Sequence, residues 1–180
     1  MGETPQADHV VRLTGDLSPR GRWKASHCSV GRALDVVSSK SAMLILREAF
    51  YGTARFDDFA TRVGISEPVA AARLRELVQA GLLEREPYRE PGQRTRMAYR
   101  LTDQGAELLP VLVALMQWGD RWLQPDGAPV RLRHSGCGEI VHAELRCAAG
   151  HPVCDSELDL TVGPGRQARQ ARMANSPSQG

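Results

Sequence analysis

The chain has 180 residues, 42% of them hydrophobic, which suits one domain with a real core plus appendages. Its 23 Lys and Arg against 21 Asp and Glu leave a formal charge of +2, so bulk charge does not select a polyanionic partner; the placement of the arginines must decide. No apolar leader with a cleavage site is present, and the longest apolar stretch, Leu108–Met116, is too short to cross a bilayer. That argues against a membrane partner and for the cytoplasm, where four cysteines are free thiols or metal ligands sooner than a disulfide framework.

Residues 1–22 mix both signs of charge with Gly and Pro and read as a flexible leader, with Val10-Val11 a candidate docked segment. From Trp23 the pattern tightens. "CSVGRALDVV" puts Val30, Ala33, Leu34 and Val37 on one helical face, and "SAMLILREAF" follows as a mostly apolar helix ending at Tyr51-Gly52. "RFDDFATRV" sets Phe56, Phe59, Ala60 and Val63 on one stripe, closed by Gly64. Ser66 is placed to cap the next helix, with Glu67 at the positive helix end and Pro68 in the first turn. Ala70, Leu74 and Leu77 form its inward side, and Gly81 is the expected left-handed stop.

Two arms of mixed polarity flank Glu90-Pro91-Gly92-Gln93, which predicts a β-hairpin over the stretch "LLEREPYREPGQRTRMAYRLT". Thr102 is placed to cap one last long helix through Trp122, kinked at Pro110. It is apolar nearly all round from Leu108 to Trp118, so it needs burial on more than one side, and a second subunit is the expected cover. After a linker at Gln124–Gly127 comes a small Cys/His-bearing segment, and the tail from 166 to 180 reads as disordered. No internal repeat is evident.

This order of elements is that of a winged helix–turn–helix: mainly α with a β-hairpin wing (α+β), carrying a small Cys/His-containing C-terminal β segment. The expected organisation is a leader at 1–22, the winged domain at 23–123, the Cys/His segment at 124–165 and the tail at 166–180. The pieces "CSVGRALDVV", "LILREAFYGTARFDDFATRVGIS", "RLRELVQAGLLERE" and "YRLTDQGAELLPVLVALMQWGDRW" together resemble the HxlR-type branch of winged-helix transcriptional regulators, relatives of the MarR group. The resemblance covers about residues 26–123. It implies a homodimeric repressor or activator that binds double-stranded DNA, with the terminal helices forming the dimer interface. The turn before the second helix departs from the family: it reads Ser38-Ser39-Lys40-Ser41 where a Gly-Gly-Lys-Trp type is usual.

At about 100° per residue, Glu67, Pro68, Ala71, Ala72 and Arg75 face away from the inward side of the 66–80 helix, with Arg73 on its flank. In a major groove an arginine can take guanine O6 and N7 together, and alanines can touch thymine methyls. Ser66 and the free N–H groups beside it suit a phosphate. Arg94 and Arg96, beside the hairpin tip, suit the flanking DNA backbone or minor groove. The plainer reading of Arg73 and Arg75 is salt bridging to Glu76 or Asp57 on a solvated face.

Cys28, at a helix start beside His27 with Lys24 and Arg32 near, is a candidate redox sensor, since a helix N-terminus and cations favour thiolate; a packed thiol at the dimer interface is the alternative. In the resembled family a cysteine recurs at this position. His134, Cys137, Cys147, His151 and Cys154 have spacings that could hold a structural zinc, but Gly150 stands where a second Cys-x₂-Cys knuckle would have its other cysteine. A metal-free β segment is the alternative, and no other cofactor is expected.

No Ser/His/Asp order, phosphate-cradling loop or His-Glu-x₂-His is present, so no enzyme is expected. The reading is a sequence-specific, homodimeric DNA-binding regulator with an oxidant or small-molecule effector. The alternative is a winged-helix protein-interaction module without specific DNA binding.

Overall fold

The computed structural model describes residues 11–13, 28–89, 91–92 and 94–165. In chain order these form β1 (Val11–Leu13), α1 (Ser29–Val37), α2 (Lys40–Phe50), α3 (Phe56–Val63), α4 (Glu67–Gln79), β2 (Leu83–Tyr88), β3 (Arg96–Leu101), α5 (Asp103–Ala106), α6 (Leu109–Trp122), a 3₁₀ turn at Asp155–Glu157 and β4 (Leu158–Leu160). They divide into two units, residues 25–143 and residues 1–24 with 144–180.

The core of the 25–143 unit is built from α2, α3, α4 and the start of the hairpin. Ala42, Ile45 and Leu46 of α2 meet Phe59 of α3, Leu74 and Leu77 of α4, and Leu82 and Leu83. Burial of this kind stabilises a domain by about 25 cal/mol for each Å² of apolar surface removed from water. Ala70, Leu74 and Leu77 are the buried residues of α4, the three that the helical period assigns. Gly64 and Gly81 stop α3 and α4 in the left-handed region, at φ 71° and 74°. Gly64 also makes the turn that aims α4 away from α3.

The buried carboxylate of Glu48 is satisfied locally. Arg47 Nη2 donates to its Oε1 at 2.8 Å, and the Thr53 hydroxyl donates to its Oε2 at 3.1 Å. Arg62 Nη1, on the last turn of α3, donates to the Thr53 oxygen at 3.0 Å. The end of α2 is thus tied to the end of α3 through a polar chain.

β2 and β3 pair antiparallel, Leu83 opposite Leu101 and Tyr88 opposite Arg96, around a turn with Gly92 at φ 75°. The expected single helix from Thr102 to Trp122 is instead two. Thr102 caps as predicted, accepting from Gly105 N at 3.0 Å, but α5 ends at Ala106 and α6 begins at Leu109. Pro110 lies in the first turn of α6; deeper in a helix its ring would meet the carbonyl four residues back, so the residue restarts the helix rather than kinking it. Gly105 is required by a close approach: a Cβ there would lie 2.1 Å from the Leu82 carbonyl oxygen.

Two helices leave apolar surface uncovered. α1 has the expected amphipathic face but no buried residue, with Val30, Leu34 and Val36 exposed. α6 buries Val113, while Val111, Leu115, Trp118 and Trp122 are exposed. Gln117, on α6, holds the following segment, donating to Val141 O at 2.7 Å and accepting from Ala143 N at 3.0 Å.

In the other unit β1 pairs in parallel with β4, Val11 opposite Leu158. Part of the leader is therefore a strand, as Val10-Val11 hinted; the rest of the leader and the tail lie outside the described residues. The Cys/His segment predicted as one block at 124–165 falls across the division at 143/144.

Candidate nucleic-acid interface

The site is assembled by three neighbouring elements: α3, α4 and the β2–β3 hairpin. The hairpin meets the start of α3, where Arg55 forms a β-bridge with Ala98 and Tyr99 N donates to Ala54 O at 2.8 Å. On α4, Glu67, Pro68, Val69 and Arg75 are exposed, and Ala71, Ala72 and Arg73 are half-buried. Ser66 occupies the capping position with extended backbone, but its side chain makes no cap hydrogen bond, so the hydroxyl stays available to an outside acceptor. The first-turn N–H groups of a helix lack intrahelical partners and present partial positive charge.

The four arginines singled out by sequence divide into two kinds. Arg73 pairs with Glu76, the plainer of the two readings, and its Nε is buried without a hydrogen-bond partner. Arg96 reaches Asp57 at 3.6 Å, both side chains being well exposed. Arg75 and Arg94 are exposed with no carboxylate partner among the described residues. Asp57 is thus taken by the hairpin, not by α4. Exposed ion pairs contribute about 0–1 kcal/mol, so Arg73 and Arg96 can exchange their carboxylates for phosphate at little cost.

The hairpin carries further cations that the sequence placed only loosely. Arg85 lies 5.8 Å from the Tyr99 ring centroid, and Arg100 is bound to Glu86. Arg55, missed in the sequence, stands at the N-cap of α3 with its guanidinium 5.4 Å from the Tyr88 ring centroid. Its signal was the arginine immediately before "FDDF", facing a tyrosine that only strand register could supply.

Cys28 is a half-buried free thiol at the N-cap of α1, and its carbonyl accepts from Arg32 N at 3.0 Å. His27 and Lys24, invoked as its activating neighbours, lie outside the described residues.

His134 and Cys137 sit on one turn, and Cys147 and His151 on a second of the same design, a repetition the sequence reading missed; Cys154 lies beyond it, at the N-cap of the 3₁₀ turn. In the 25–143 unit Arg133 bridges Ile140, His134 N donates to Glu139 O at 2.9 Å, and Arg133 Nη1 donates to Gly138 O at 2.7 Å. In the other unit Arg146 bridges Pro152, Cys147 N donates to His151 O at 3.0 Å, and Arg146 Nη1 donates to Gly150 O at 2.9 Å. Gly138 and Gly150 both have positive φ. The repeated signature is Leu-Arg-His/Cys, at Leu132 and at Leu145. Gly150 therefore serves the turn. His134 Nδ1 and Cys137 Sγ are 3.2 Å apart. Among the described residues no three His, Cys, Asp or Glu side chains gather to hold a metal ion. Nor is any helix there long and apolar enough to cross a membrane.

Comparison with known proteins agrees with this architecture. The chain is 43% identical over 145 residues to an uncharacterized HTH-type transcriptional regulator of Mycobacterium tuberculosis H37Rv, covering 79% of this chain and 90% of that one. It is similar to the crystal structure of PA1607, a candidate transcription factor, with 36% identity and a TM-score of 0.67 over 77% of this chain and 96% of that one. It is also similar to PA1374, a candidate transcription factor from Pseudomonas aeruginosa, with 33% identity and a TM-score of 0.56 over 80% and 99% of the two chains. The HxlR-like helix-turn-helix family model matches residues 36–127, from the end of α1 through the wing and α6. The chain belongs to the HxlR-like helix-turn-helix family, and it is a DNA-binding transcriptional regulator.

Proposed function

We propose that the chain acts as a homodimer on a two-fold-related operator, with α4 in the major groove and the β2–β3 hairpin against the flanking backbone. Arg75 reads bases beside Ala71 and Ala72, and Arg73 exchanges Glu76 for a base or phosphate. Ser66, with Glu67 and Pro68 beside it at the helix start, faces the adjacent phosphate. Arg94 and Arg96 hold the DNA backbone from the hairpin.

The observation that carries the dimer is the uncovered apolar surface. α1 has no buried residue among those described, with Val37 at its end half-buried against the core, and α6 exposes Trp118 and Trp122 at 54% and 63%. Amphipathic helices left this way gain stability when a second copy covers them, and a two-fold pairing sets two α4 helices about one DNA turn apart. Cys28 begins α1, so oxidation there would act on the dimer seam; this is the candidate control input, and normal peroxide and quinone responses in Cys28→Ser would end it.

Two measurements test the reading. Light scattering at micromolar concentration should give twice the chain mass. Anisotropy titration on operator DNA should show affinity falling by about 10³–10⁵ between 50 and 200 mM salt if about 6–10 phosphates are neutralised. A monomer mass or a flat salt response contradicts it.

A further inference from the structure

Within the 25–143 unit an apolar cavity of about 470 Å³ lies between α2, α6 and residues 129–132. Met43, Phe50, Leu112, Met116 and Val130 line it. That volume falls within the range of about 300–1,000 Å³ typical of small-molecule sites, which combine apolar walls with a few placed polar groups. Here the charged lining groups are Arg47, Arg131 and Asp120, two guanidiniums against one carboxylate.

Arg47 is incompletely satisfied. Its Nη2 is committed to Glu48, and its guanidinium carbon lies 5.8 Å from the Tyr51 ring centroid. Its Nε, however, is shut off from solvent with no hydrogen-bond partner. Its Nη1 donates to no group among the described residues, and the side chain is 39% exposed, so that end of the guanidinium can take an incoming carboxylate. Arg131 is exposed and has no ion-pair partner among the described residues. An apolar helix from a second copy could cover the walls but could not satisfy these donors.

We propose that this cavity is an effector site for a small apolar monocarboxylate, its carboxylate held by Arg47 and Arg131 and its hydrocarbon laid between α2 and α6. Amines are disfavoured by the two arginines, and dicarboxylates by Asp120. Occupancy reaches the DNA-reading helices through one residue: Glu48, next to Arg47, is the buried carboxylate tied through Thr53 to Arg62 on α3. This regulatory role rests on the operator-binding reading above.

The test uses the full chain with decanoate as probe, decan-1-ol as the neutral isostere and decylammonium as the cationic one. Calorimetry without DNA should show saturable decanoate binding, one per chain, at least ten-fold tighter than either comparator. Arg47→Gln should weaken decanoate ten-fold or more and leave decan-1-ol unchanged. Arg131→Gln, at an exposed position, should weaken it several-fold and guards against a folding defect in the first variant. Saturating decanoate should change operator affinity by about 5-fold or more in the wild type and not in Arg47→Gln.

Equal binding of decanoate and decan-1-ol, indifference of decanoate to both substitutions, or unchanged operator affinity at saturation would overturn the proposal. So would decanoate binding only to dissociated chains in light scattering, which would make a second copy the occupant. Decanoate binding by a chain that takes no DNA would count against the operator reading and leave the site standing.

Discussion

α4 and α6 have nearly the same length, 13 and 14 residues, and opposite relations to the fold. α4 turns three residues into the core and gives solvent a largely polar face, with Val69 its exposed large apolar residue. α6 is apolar around most of its circumference and buries one residue, Val113. The first helix is explained by its own chain. The second is not, because a contiguous exposed apolar face marks a contact with something else. The difference separates what folds this molecule from the proposed dimer seam, and the two should fail separately.

The largest expected effect comes from attacking the core side of that comparison. Leu74→Ala empties a fully buried position against Phe59, Ile45 and Leu77 and should cost about 2–5 kcal/mol in denaturant unfolding. Leu115→Ala, on the exposed side of α6, should change the stability of the isolated fold by less than about 0.5 kcal/mol while weakening self-association. Equal losses from the two substitutions would erase the distinction between the helices. Charge sharpens it further: Leu115→Glu with Trp118→Glu should leave the circular dichroism spectrum intact, halve the mass in light scattering and remove most operator affinity.

A smaller loss is expected where α5 crosses the strand after α4. Gly105→Ala would bring a methyl group against the Leu82 carbonyl, so the backbone must shift, at about 1–3 kcal/mol. The defect should appear in unfolding midpoints and leave dimer mass unchanged. That outcome would assign Gly105 to the folding side of the comparison, even though it lies only a few residues before α6.

The same division governs what could be read from the sequence. The inward trio of α4, the stops at Gly64 and Gly81 and the hairpin turn were legible because each depends on local chemistry: helical period, left-handed backbone, turn residues. The break before α6 was misjudged because Pro110 can kink a helix or begin one, and only the geometry at Ala106 and Leu108 decides. The paired turns at Arg133 and Arg146 were hidden because their side chains differ, His134 in one place and Cys147 in the other, while what repeats is a backbone hydrogen-bond scheme. For the candidate interface, the outward side of α4 was legible in the helical period, and the ion pairing of its residues was not. That Arg96 meets Asp57 while Arg75 meets no carboxylate among the described residues depends on strand register and helix packing, which no spacing rule encodes.

Those engagements set the smallest predicted effects. Arg75→Ala should lower specific affinity by about 1–3 kcal/mol and relax preference at one base position, if its guanidinium grips a guanine edge. Arg94→Ala should act differently, because a side chain at the hairpin tip that meets only phosphate carries no sequence information. Its loss should weaken binding uniformly across operator variants and lower the slope of log affinity against log salt by about 1 for each contact removed. Arg96→Ala should do the same less strongly, since the free protein already offers that guanidinium a carboxylate at 3.6 Å. An Arg94→Ala protein whose affinity falls at some operator positions and not others would move the hairpin from holding DNA to reading it.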